Sequence, residues 1–290
     1  MAHDEQLAWE ARAGKPAALA AFATALLTFT AGIYLQVALS DREDGADGLL
    51  AAADSQPGDF VIAGGLQVLG VLLLAPVLLY LYRATRYRRR ELTPAAAYLA
   101  LLGAVTLAVI TMTRQLQLID IADGFFPYDV PDDAAELRGD EYAEAVDPEK
   151  AAEEEIRDAL SPALQGIGLG GSIALAFSVI LISINAMRAG LLSRFMGILG
   201  VIIGVLYVIP IGVQILQLFW LGALGMLFLD RWPGGRGPAW QTGEAIIWPG
   251  AAQQREEIER RRAEREGNGS GEPEAEQAPK PTSRKRKKRR

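Results

Sequence analysis

Residues 195–229 read FMGILGVIIGVLYVIPIGVQILQLFWLGALGMLFL. No side chain in that run is charged, and at about 35 residues it is longer than the ~20 that one helix needs to cross hydrocarbon. Pro210 and Gly212 interrupt its middle. Proline removes a backbone donor and glycine relaxes the chain, so the run divides into two short spans, 195–209 and 212–229, joined by a tight turn. Reading it as a single crossing is the alternative. The choice sets the side of the membrane on which the C-terminus lies.

Four further apolar runs precede it, at about 16–39, 60–82, 94–113 and 162–187. Runs of this length exclude a soluble globular chain, although the average composition of 50% hydrophobic and 22% charged residues looks nearly soluble. The fold class expected is all-α, an integral membrane bundle of six transmembrane helices, with five as the alternative. Residues 1–15 form an amphipathic lead-in whose Trp9, Arg12 and Lys15 suit the headgroup level. They read as part of the retained chain and not as a cleaved signal. Pro16, Pro94 and Pro162 each fit the first turn of a span, where the missing N–H costs nothing, and Thr93 and Ser161 fit caps. Pro76 is expected to kink the second span.

Charge alternates between the loops. Residues 40–58 and 119–160 are acidic; residues 83–90 and 188–194 are basic. Basic loops stay in the cytoplasm, so six spans place both termini there, in a bacterial plasma membrane, with the bundle at 16–230 and the acidic insert 119–160 outside. Within that insert Asp147-Pro148-Glu149 predicts a helix over 148–160, with a Glu153–Arg157 pair. Residues 231–250, with Trp232, Trp240 and Trp248, read as an irregular interfacial segment, 251–266 as a solvated charged helix, and 267–290 as a disordered tail ending in SRKRKKRR.

No catalytic, cofactor or metal constellation is expected. There is no cysteine, and the lone histidine, His3, lies at the terminus. Gly166 to Gly171 match G-x-G-x-x-G formally, but without the strand and βαβ unit that a nucleotide site needs. Gly166, Gly170, Gly200 and Gly204 read instead as helix-packing positions. Ser172, Ser178 and Ser183 are expected to bond to their own helix or a neighbour. Arg114, Gln115, Gln117, Gln214 and Gln217 are candidates for a polar lining. Arg86, Arg88, Arg89, Arg90, Lys285, Lys287 and Lys288 are candidates for contact with anionic headgroups. The basic tail fits lipid, nucleic acid or plain solvation. Lipid is favoured because a tethered tail meets it at high local abundance. Protein partners are left open. The span interiors hold no ionisable residue, which argues against proton-coupled transport. The reading is a non-enzymatic structural, accessory or lipid-interacting membrane protein. A small-solute transporter or channel component is the alternative, and an integral membrane enzyme ranks last.

The block NAMRAGLLSRFMGILGVIIGVLYVIP…FWLGALGMLFLDRWPGGRGPAW resembles the C-terminal half of uncharacterised polytopic membrane proteins of actinobacteria. The resemblance covers roughly residues 8–250 and is strongest over 185–248. It implies a plasma-membrane helical bundle and supplies no catalytic residue.

Overall fold

The computed structural model describes residues 3–40, 42, 44–125, 147–159, 161–209, 213–233, 235–248 and 259–260. The chain divides into two units, 1–248 and 249–290, and in the second only Glu259 and Arg260 are described, both helical. Most of the 251–266 segment, the basic tail with Lys285, Lys287 and Lys288, and the turn at Pro210 therefore lie outside the described residues.

The first unit is helical throughout its regular structure: α1 (His3–Ala38), α2 (Ala46–Ser55), α3 (Pro57–Arg88), α4 (Ala95–Phe125), α5 (Pro148–Ala159), α6 (Pro162–Arg188), α7 (Arg194–Leu206), α8 (Val213–Phe228) and α9 (Pro238–Thr242). Helices α1, α3, α4 and α6 are long and apolar enough to cross a membrane. The two halves of the 195–229 run form α7 and α8, which are apolar but only 13 and 16 residues long.

Six helices form a ring in the order α1, α3, α4, α6, α7, α8, and α8 packs back onto α1. Neighbours run antiparallel. Glu10 near the start of α1 meets Arg88 at the end of α3, while Tyr34 donates to Asp59 Oδ1 at 2.6 Å at the opposite end. Along the α4–α6 seam, Ser178 donates to Ala96 O at 2.8 Å. Helix α3 also touches α6 across the ring. Leu74, Leu78 and Leu81 of α3 and Leu175, Val179 and Ile182 of α6 belong to one buried cluster that fills the middle. Along this line the described residues form a packed core.

Close approach of α4 to α6 depends on small residues. A Cβ on Gly103 would stand 2.6 Å from the backbone nitrogen of Leu175. The packing glycines of α6 are not the expected Gly166 and Gly170, which face open space. They are Gly168 and Gly171, which meet Ile110 and Thr106. The face is set by Leu175 and Ser178, and the buried stripe passes through 168 and 171 at helical spacing. Gly200 and Gly204 do pack, against Ser183 with Trp220 and against Ile180.

Several helix ends differ from expectation. Pro16 is not a first-turn residue; α1 begins at His3 and runs through it. Its buried face, Gln6, Glu10, Gly14, Ala17, Ala18 and Ala21, is continuous across the proline, so packing offsets the lost hydrogen bond. Helix α3 likewise continues through Pro76. Helix α4 extends past Thr113 to Phe125, because Leu118, Ile119, Ile121 and Phe125 pack with α2 and α5 around buried Leu50, Ala53, Phe60 and Ala152. The 40–58 loop thus contains a helix, and with α5 it caps the acidic end of the ring. Caps at Ser161 (3.2 Å to the Leu164 nitrogen) and Asp147 (3.1 Å to the Glu149 nitrogen) start α6 and α5 as their sequences predict. Arg157 pairs with Glu154 at 3.0 Å, one position from the expected Glu153.

Candidate functional site

The ends of α1, α3, α6 and α8 meet at the basic end of the ring. Glu10, Arg88 and Trp240 form a buried clasp there. Arg88 donates to Glu10 Oε1 at 2.6 Å and to Oε2 at 2.9 Å, in the forked geometry that guanidinium and carboxylate share. Its remaining donors reach Ala84 O at 2.9 Å and Ala239 O at 3.0 and 2.7 Å, so every guanidinium N–H has an acceptor. Gln6 donates to Glu10 Oε1 at 2.8 Å, and Tyr80 donates to the Glu10 carbonyl at 3.0 Å. The two charged side chains are 0% and 3% exposed. A buried ion pair persists only when its polar atoms are satisfied this fully.

Aromatic rings close the clasp. Tyr80 stacks on Trp240 with centroids 6.0 Å apart and meets Phe228 edge-on at 4.7 Å. Arg88 and Arg236 flank the Trp240 ring at 5.6 and 5.2 Å. The Trp240 indole donates to Leu191 O at 2.9 Å, tying α9 to the turn after α6. Arg236 donates to Leu227 O at 2.8 Å and to Phe228 O, adding side-chain donors to carbonyls at the end of α8, where Leu227 O also accepts from the Asp230 nitrogen at 3.1 Å. Trp240 is 4% exposed, so the expected interfacial segment instead enters the bundle core at this residue.

Beside the clasp, Gln6, Tyr82, Arg83, Arg86, Tyr87 and Arg90 line a groove of about 420 Å³. Arg83 lies 4.0 Å over the Trp9 ring, and Arg86 donates to the Tyr82 hydroxyl. Arg90 is exposed and has no side-chain partner among the described residues.

Of the candidates for headgroup contact, Arg86 and Arg90 share this groove. Arg89 pairs with Glu91. Arg88 is corrected: its guanidinium is buried and spent on Glu10 and Ala239 O, so it is not presented to lipid. The candidate polar lining does not converge. Arg114 lies beside Gly168 on the α4–α6 seam, Gln115 against Gly64 on the α3–α4 seam, and Gln214 against Gly32 on the α1–α8 seam. Gln217 hydrogen-bonds Tyr207, and Gln117 Oε1 is buried without a partner among the described residues. None of the five lines the basic groove or the two other recesses at the ends of the ring. Of the three serines, Ser178 bonds a neighbouring helix, while Ser183 Oγ is buried without a partner among the described residues. Among the described residues no group of three His, Asp or Glu is placed to hold a metal.

Sequence reasoning passed over Glu10, Tyr80 and Arg236. Glu10 carried a signal: Gln6, Glu10, Gly14 and Ala17 recur at helical spacing, which puts a carboxylate on the face that α1 buries.

Neither the curated proteins nor the solved structures contain a match. The family described as a domain of unknown function (DUF4386) matches residues 17–229, most of the chain and nearly the whole ring, and the chain belongs to that family.

Proposed function

We propose that this is a non-enzymatic plasma-membrane protein of six crossings that holds anionic lipid headgroups at its cytoplasmic face. The observation that carries the reading is the groove of Arg83, Arg86 and Arg90 with Tyr82 and Tyr87. Arginine supplies planar donors for phosphate, and tyrosine suits the level where hydrocarbon gives way to water. The alternating direction of α7 and α8 supports two additional short crossings, which tilt-free helices of their length achieve only in a locally thinned bilayer. Acidic residues gather around α2 and α5, and arginines at the opposite end, which supports a cytoplasmic basic end.

Two measurements test this. A reporter active only outside the cytoplasm, fused after residue 290, is expected to be silent, and one inserted in 126–146 to be active; the reverse pattern overturns the orientation. In nanodiscs, R86Q/R90Q is expected to lower affinity for anionic over zwitterionic lipid about thirty-fold, at ~1 kcal/mol for each basic residue. Unchanged preference would remove the groove from lipid recognition.

A further inference from the structure

A second recess, of about 250 Å³, lies at the turn between α6 and α7. Its apolar walls are Met187, Leu192, Ile198, Ile247 and Trp248, and Arg188 and Arg194 complete its lining. Leu192 is fully buried, whereas Ile198 and Ile247 are 53% and 66% exposed, so the recess has a fixed floor and an open apolar side. The wall is held tightly. Gly190 has φ +75° and a Cβ there would stand 1.7 Å from Ile246 O; a Cβ on Gly237 would stand 2.5 Å from the Trp248 ring. Only glycine lets the 246–248 strand of chain lie against the turn this closely.

The two arginines are exposed, and among the described residues neither side chain has a hydrogen bond or a paired carboxylate. Two uncompensated guanidiniums beside an apolar cleft call for one molecule that is both anionic and hydrocarbon. Free phosphate would leave the cleft wet, and a neutral lipid would leave the charges unmatched. The volume is below the ~300–1,000 Å³ of whole-ligand pockets, so the cleft takes a length of chain and not an entire molecule.

We infer that this recess binds a single anionic glycerophospholipid from the surrounding leaflet, its phosphate between Arg188 and Arg194 and the first part of one acyl chain along Leu192, Ile198 and Trp248. The inference rests on the lipid-facing reading of the basic end but concerns a site separate from the Arg83–Arg86–Arg90 groove.

Trp248 is a reporter built into the wall. The full-length protein is placed in phosphatidylcholine nanodiscs containing a small fraction of phosphatidylglycerol brominated on its acyl chains, or the same fraction of brominated phosphatidylcholine. Subtracting the signal of W248F isolates Trp248. The brominated anionic lipid is expected to quench Trp248 at least threefold more than the neutral one. R188Q/R194Q is expected to equalise the two, R86Q/R90Q to leave the difference intact, and soluble glycerol phosphate not to compete. Both arginines are exposed, so the double variant should fold. The wild-type comparison of lipids decides the matter even if it does not. Equal quenching in the wild type overturns the inference, as does a difference that survives R188Q/R194Q, vanishes in R86Q/R90Q, or is competed away by glycerol phosphate. If the protein still prefers anionic lipid overall while Trp248 shows no difference, only this site fails. If the overall preference is absent too, the lipid-binding function fails with it.

Discussion

Glu10→Ala is expected to destabilise the folded bundle by about 3–5 kcal/mol, the range for stranding one member of a buried ion pair. The reason lies in the bonds left behind. Without the carboxylate, Arg88 keeps Ala84 O and Ala239 O but holds an uncompensated charge in a site where its side chain has no exposure. Arg88→Ala should cost at least as much, because it also frees the carbonyl of Ala239 and strands Glu10. The double variant removes both charges, so its loss should fall short of the sum of the singles by about 1–3 kcal/mol. Arg88→Lys tests the geometry: a lysine keeps the charge but cannot fork across Glu10 and reach Ala239 O together, so most of the loss should remain. Unfolding in mixed micelles, followed by helical circular dichroism, measures all four. Strict additivity of the singles would show that the two side chains do not act as a pair.

Trp240→Ala is expected to cost about 3–5 kcal/mol as well, in the range for emptying a large aromatic from a core. Its effect should be more local. The indole stacks on Tyr80, packs against Phe228 and donates to Leu191 O, so its removal detaches α9 and the following residues from the turn after α6. Hydrogen exchange should therefore quicken over 237–248 and 189–192 and stay slow in α4. Trp240→Phe keeps most of the ring and loses the N–H, for about 1 kcal/mol. Uniform acceleration across all helices would mean that Trp240 supports the whole ring and is not a local fastener.

The spans were legible because hydrocarbon selects residues one at a time, and a run without charges is visible in any single segment. Helix ends were not, because they depend on partners distant in sequence. Nothing between Thr113 and Phe125 announces that α2 and α5 will pack on it. Glu10 read only as part of an amphipathic lead-in because its partner lies 78 positions away. Trp240 looked like an interfacial tryptophan, and its burial follows from Tyr80 and Arg88 of α3 and from Leu191 after α6, two stretches of chain distant from it in sequence. The glutamines in the second half of α4 and at the start of α8 looked like one lining because sequence gives their depth but not their direction around the helix axis. Gln115 turned out to face the α3–α4 seam and Gln214 the α1–α8 seam. The family match covers 17–229, yet Glu10 and Trp240 flank it, so the clasp joins the family's ring to residues outside the matched region.

The closure of α8 onto α1 has a consequence for biosynthesis. The first helix of the ring has one flank that the last, α8, covers, with Gly14 against Phe228 and Phe22 against Gly225. Until translation passes Trp240, the nascent chain holds a charged pair without its lid and an apolar side without its neighbour. A product terminated before Trp240 keeps both defects permanently, which makes synthesis through that residue the step that lets the ring close.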